Sequence, residues 1–338
     1  MITNFEHRSA SHCETGTTSN LLNYSGYRLD EPMILGIGAG LYFVYLPFFP
    51  IDSGIPICNF RTLPGRIFSR AMKNLRIKIG IKRFSNQEKA MKEMDELLAA
   101  GIPVGNVVSI YFMNYFGLTG IAHFNAHNVC IVSKEGDEYT VSEPVYEKLQ
   151  KISYNDLKKA RFAKGLLKPR GKMYWIKEKQ PDLSHLHHAV VSGIKRTCKN
   201  MLGAPIFPYI GVRGIAMLSK QMRNWEIKYG EKNAANYLSQ IIRPLEEFGT
   251  GGVGFRFMYS AFLHEAADML NKPEFKAFSV EMNNIGNLWR DFAVEGTRKL
   301  KNRGNISYDE LADKLLEIAA AEKKFFVALR KYIKTCKK

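Results

Sequence analysis

Phe5 to Gly26 reads FEHRSASHCETGTTSNLLNYSG, and the fold turns on what its cysteine is for. Ser11, His12, Cys13 and Glu14 spell S-x-x-E, the pattern of a capping box at a helix start. With Ser11 as N-cap, a helix is predicted to run to near Gly26, with Cys13 as its second residue. An amide in that first turn has no intrahelical partner, and the positive helix end favours thiolate over thiol. The same amide is placed to donate to an oxyanion forming beside the sulfur. Cys13 is therefore a candidate nucleophile. An ordinary thiol in an N-terminal loop is the other reading, because capping-box matches are common.

A thiolate nucleophile needs a base, and the base needs a group to orient it. His127 opens HNVCIV and Glu143 closes YTVSEP, on either side of Glu135-Gly136-Asp137, which together predict a β-hairpin. With the turn centred on Gly136, His127 lies opposite Val145 and Glu143 opposite Val129. That register puts His127 and Glu143 on one face as diagonal neighbours. A slip of one residue would part them. His123, four residues before His127, competes as the base. His12, Glu14 and His123 are further candidates to line the substrate site.

The chain has 338 residues, enough for two domains, and its apolar fraction of 46% is that of an ordinary globular protein. Its five cysteines are scattered without a CxxC pair, and no leader pattern opens the sequence, so free thiols and a cytoplasmic location are expected. Met33 to Ile51 is uncharged and long enough to span a bilayer, but its glycines and prolines favour a buried strand-turn segment, so no membrane span is expected. The net charge of +17 calls for an anionic partner. Five cations and no acid fall in Lys73–Arg83, and nine cations with one acid in Lys158–Lys179. Seven more cations crowd Lys323–Lys338. No nucleic-acid signature accompanies them, which weakens that class of partner.

The first half mixes helical and strand patterns, with a helix predicted over Asn86–Ala100. From about Leu183 helical spacing dominates, most clearly over Phe255–Leu270. The expectation is an α+β fold in two domains, residues 1–182 an α/β domain and 183–338 all-helical. Gly36–Gly40 (GIGAG) reads as tight packing rather than a dinucleotide loop, and Gly249–Gly254 (GTGGVG) as a flexible connection between helices. His185–His188 (HLHH) falls in the linker without a cysteine partner, and no metal site is expected.

The order Cys13, His127, Glu143, with the cysteine at a helix start and the others on a later hairpin, resembles papain-like cysteine enzymes. It is closer to the acyltransferase family of butirosin biosynthesis. Phe5–Pro47, Ala99–Phe116, His123–Pro144 and the helical Gly249–Leu270 carry the resemblance. It implies a papain-like N-terminal domain followed by a helical C-terminal domain. It also implies an acyl group moved from the phosphopantetheine thioester of an acyl carrier protein to a small amine or hydroxyl acceptor. Carried over by position, Cys13 is the nucleophile, His127 the base and Glu143 the orienting acid, where papain-like enzymes more often use Asp or Asn. No resident cofactor is implied, since phosphopantetheine arrives on the carrier. Acyl carrier proteins are acidic, which gives the positive charge a partner. A thioester or amide hydrolase with the same triad, and a non-catalytic protein that binds a carrier or nucleic acid, are the rival readings.

Overall fold

The structure, a computed structural model, describes residues 2, 4–50, 56–117, 120, 124–177, 182–203, 207–247 and 249–336. In chain order the elements are α1 (Cys13–Tyr24), α2 (Glu31–Ile37), β1 (Leu41–Pro50), β2 (Pro56–Arg61), α3 (Arg66–Leu75), β3 (Ile79–Lys82), α4 (Gln87–Ala99), β4 (Val104–Val108), β5 (His127–Glu135) and β6 (Glu138–Ser142). They continue with β7 (Gln150–Ser153), α5 (Tyr154–Arg161), β8 (Met173–Ile176), α6 (Leu186–Leu202), α7 (Gly211–Met222), α8 (Trp225–Tyr229), α9 (Glu231–Glu246), α10 (Arg256–Leu270), α11 (Glu274–Leu300) and α12 (Tyr308–Ile333). The fold class is α+β, with helices and strands mixed in the N-terminal part and a mostly helical C-terminal region.

Two compact units form: Met1–Ile34 with Met72–His185, and Leu35–Ala71 with Leu186–Lys338. They differ from the 1–182 and 183–338 division in two respects: the boundary falls after His185, and a stretch of the first half changes sides. Leu35–Ala71 belongs with the helices, so that unit holds a β-hairpin and is not all-helical. Side-chain chemistry explains the placement. Phe43 and Phe60 of the hairpin pack on Trp289, with ring centroids 6.0 and 5.3 Å away. Gly36 admits the Phe262 ring, which a Cβ would approach to 2.2 Å. The apolar run Met33–Ile51 is thus α2 and β1 as far as Pro50, with Ile51 outside the described residues. No helix of the described residues is long and apolar enough to cross a membrane. Gly249–Gly254 also departs from expectation. It is a packed turn, with Val253 and Gly254 buried and Gly254 touching Phe60. His185 closes the first unit and α6 begins at Leu186, where His188 Nε2 and Ser192 Oγ lie 3.2 Å apart.

The first unit is built on a six-stranded antiparallel sheet in the order β3-β8-β4-β5-β6-β7. Val129 and Ile131 of β5 point into a core shared with Met91, Met94 and Leu98 of α4 and Leu157 of α5. Asn128 and Cys130 alternate to the other face, where α1 packs against β5. The basic stretch after Lys158, which shows little periodicity as sequence, holds the end of α5 and all of β8.

The β5–β6 hairpin has a feature that the sequence conceals. Near the turn the pairs are Glu135 with Glu138 and Ser133 with Thr140, closed by Gly136 and Asp137. Continued unbroken, that register would set Glu143 opposite Cys130 and on the wrong face. A β-bulge at Val132 shifts the pairing to Ile131 with Val141 and Cys130 with Ser142. The step puts Glu143 opposite Val129, so the diagonal relation of His127 to Glu143 depends on this one extra residue.

Candidate active site

α1 is an unpromising helix by propensity, rich in Thr and Ser with a glycine in its second turn. Burial holds it instead. Ten of its residues, Cys13 to Leu22, are buried, and Gly16 sits where a Cβ would come within 2.4 Å of Ala10 Cβ and 2.8 Å of Pro144 Cβ. Its N-cap is His12, not Ser11, and Cys13 is the first helical residue rather than the second. The expected capping box is replaced by a carboxylate from elsewhere. Glu31 accepts from the amides of Ser11 and His12 at 2.9 and 2.7 Å and from the Thr15 hydroxyl at 2.7 Å, while His12 Nδ1 accepts from the Thr15 amide. Burial, the strongest influence on Glu31, raises its pKa against these hydrogen bonds.

His12, expected at the substrate, holds the helix start. Glu14 is fully buried, with its charge felt by Lys172 and Tyr174. His123 lies outside the described residues. The other three candidates meet. His127 Nε2 is 2.9 Å from both carboxylate oxygens of Glu143. Cys13 is near enough to the same imidazole to raise its pKa, and with Nε2 committed to Glu143, Nδ1 is the nitrogen left for a second partner. Glu143 also accepts from the Tyr115 hydroxyl at 3.1 Å and the Val145 amide at 3.4 Å. Phe116 closes edge-to-face on the His127 ring, with centroids 5.4 Å apart.

Burial, the largest influence on His127, disfavours its charged form. The Glu143 carboxylate and the nearby Cys13 outweigh it and raise His127 from 6.5 to about 10. The attraction is mutual, so an imidazolium here steadies a Cys13 thiolate as the thiolate steadies it. A raised pKa means that the folded state holds a proton which the unfolded chain releases. This stabilisation is complete below 6.5 and is lost as pH climbs through about 10. The melting temperature of the native chain should therefore exceed that of His127→Ala at neutral pH, with the gap narrowing towards pH 10. A constant gap across that range would show that His127 is not held protonated.

Sequence reasoning missed the supports of this site. Asn128 directs Nδ2 to the Cys13 sulfur at 4.0 Å and to Ala126 O at 3.1 Å. The amide is fixed in that sense because its Oδ1 accepts from the Tyr174 hydroxyl at 2.9 Å. Tyr174 fits because position 105 is glycine, where a Cβ would stand 2.3 Å from its ring. His7 spans Ser142 Oγ and Tyr146 O at 2.8 and 2.9 Å, bracketing Glu143 from the N-terminal segment. Only the adjacency of Asn128 to His127 was visible as sequence. Tyr115, Tyr174 and His7 arrive through tertiary packing. A cavity of about 390 Å³ lined by Asn23, Tyr24 and Gly101 opens at the C-terminal end of α1, away from Cys13.

Residues 12–144 match the profile of the N-terminal region of butirosin biosynthesis protein H, and residues 155–329, just over half the chain, match that of DUF4872, a domain of unknown function. The chain belongs to the DUF4872 family, with an N-terminal part of the butirosin biosynthesis protein H type. A search of the curated proteins found none that matches. A solved structure from Bacillus anthracis, described as a C39-like peptidase, aligns at 15% identity over 52% of this chain and 96% of its own, with a TM-score of 0.37. That likeness is too loose to bear on activity. Cys13, His127 and Glu143 all fall within the N-terminal stretch that matches.

Proposed function

We propose that the protein is an acyltransferase that takes an acyl group from a carrier-protein thioester and joins it to an amine. The observation that carries this reading is the buried Cys13–His127–Glu143 line in an N-terminal part of the butirosin biosynthesis protein H type. The Cys13 thiolate attacks the thioester carbonyl. A bond from its sulfur to carbon forms, the phosphopantetheine C–S bond breaks, and the departing thiolate takes the proton from the His127 imidazolium. The acceptor amine then attacks the acyl-enzyme. Its nitrogen gains the acyl carbon, Cys13 leaves as thiolate, and His127 Nδ1 receives the amine's proton. Glu143 orients the ring throughout and offsets its charge. Asn128 Nδ2, aimed beside the sulfur, is placed to donate to the oxyanion of each tetrahedral intermediate.

Cys13 is only 8% exposed and His127 5%, which suits a donor whose reactive end is a slender arm. The phosphopantetheine arrives with the donor, so the chemistry calls on no resident cofactor. The test supplies an acylated carrier protein with and without a panel of small amines and follows the products by mass spectrometry. Amide that forms only when a particular amine is present supports the transferase. Free acid released at the same rate with every amine makes the protein a hydrolase, and no turnover with Cys13 unmodified removes the catalytic reading.

A further inference from the structure

Two basic runs far apart in sequence share one edge of the first unit. β3 is the outermost strand of the sheet and pairs antiparallel with β8, Ile79 with Ile176 and Lys82 with Met173. Lys177 donates its amide to Lys78 O at 3.0 Å, and the Phe84 amide donates to Arg170 O at 3.1 Å. Lys78, Arg83, Lys164, Lys168, Arg170 and Lys177 are all exposed. Cations on an edge strand ordinarily keep it from pairing with another chain. That explains the charge but not its apolar neighbours. Ile81 is 46% exposed, Leu166 69% and Leu167 49%.

The loop that shows these leucines to solvent is built rather than slack. Asn125 Nδ2 donates to Lys164 O and Leu166 O at 2.9 and 2.8 Å. The buried Arg161 guanidinium donates to Ala90 O at 3.1 Å and reaches Gly171 O at 3.5 Å, pinning the far end. Leu167 and Arg170 are kept at φ 55° and 53°, left-handed values that L-residues adopt at a cost of about 1 kcal/mol or more. Asn125 stands two residues before His127, so the same short segment positions the loop and opens the strand that carries the base.

We propose that the β3 edge and the Lys164–Arg170 loop form the docking surface for an acidic protein that delivers the acyl donor. This rests on the transferase reading above. Cations around two exposed leucines fit a protein face that is acidic at its rim and apolar at its centre. They steer its approach, and the leucines hold it. Phosphate contacts alone would leave the leucines without a task, which favours a protein over nucleic acid.

The experiment compares two donors of one short acyl group, an acidic acyl carrier protein and the uncharged N-acetylcysteamine thioester. It uses the full chain, Arg83→Glu/Lys168→Glu/Arg170→Glu and Leu166→Ser/Leu167→Ser. Both variants should lose about tenfold or more in kcat/KM with the carrier and stay within about twofold with the small thioester. The charge variant should also lose the salt dependence of the carrier reaction. Unchanged kcat/KM with the carrier overturns the docking surface while leaving the transferase intact. If the native chain uses neither donor, the transferase fails, and direct binding of the unloaded carrier then decides the surface. Binding weakened about tenfold in both variants upholds it, and unaltered binding overturns it. Loss in the variants of binding to duplex DNA or to anionic lipid vesicles, with carrier binding kept, assigns the edge to those partners instead.

Discussion

Incubated with an acylated carrier protein and no acceptor, the native chain should gain one acyl mass on the peptide that contains Cys13. His127→Ala should slow this loading by ~10²–10⁴-fold, the range for removing a positioned proton-transfer group. Asn128→Ala should slow it by ~10²–10³-fold if its amide meets the oxyanion. Glu143→Gln keeps the shape and one accepting oxygen but not the charge that favours the imidazolium, so its loss should be smaller than that of His127→Ala. Cys13→Ala should fold and take no label. The same chain treated briefly with iodoacetamide should lose Cys13 before Cys130 and Cys198, which are fully buried and whose thiols burial holds in the protonated form. An acyl adduct that survives in Cys13→Ala would place the nucleophile elsewhere, and full-speed loading in Asn128→Ala would reduce that residue to packing.

The second large effect is on stability. In the helical unit Arg256 and Glu322 are both fully buried, with Nε donating to Oε1 at 2.9 Å. The same oxygen accepts from Trp289 Nε1 at 2.8 Å, and the guanidinium lies 5.0 Å from the Trp289 ring centroid and 5.6 Å from that of Phe60. Arg256→Met removes one charge and leaves the other in an apolar interior. The expected cost is about 3–5 kcal/mol, a fall in melting temperature on the order of 10 °C for a unit of this size. Arg256→Met/Glu322→Leu removes both charges and should recover much of the loss, because the cost lies in the stranded carboxylate. Calorimetry on the three proteins reads this directly. A single variant that melts within about 2 °C of the native chain would mean that water reaches Glu322.

How much of this was legible beforehand differs between elements for physical reasons. Helices with a strong local signal were predictable, α4 by its Asn86 cap and apolar spacing and α10 by its periodic face. α1 was found through its cysteine rather than its propensity, and its cap was misread because Glu31, seventeen residues beyond Glu14, supplies the carboxylate that a capping box keeps local. The pairing of His127 with Glu143 was read with the right register, although the two-residue turn by itself dictates the other one. A bulge is set by the competition between core packing and turn geometry, and no residue type at Val132 announces it. Leu35–Ala71 could not be assigned to a unit from sequence because its partners, Phe262 and Trp289, lie more than two hundred residues on.

The Val132 bulge gives the hairpin an arithmetic of its own. Because it converts an odd spacing into an even one, any single insertion or deletion between His127 and Glu143 that leaves both turn and bulge in place sends the carboxylate to the opposite side of the sheet. Changes made two at a time restore it. The segment can therefore lengthen or shorten only in steps of two, and a graft of this hairpin onto another scaffold must carry its irregularity along with the His127–Glu143 pair.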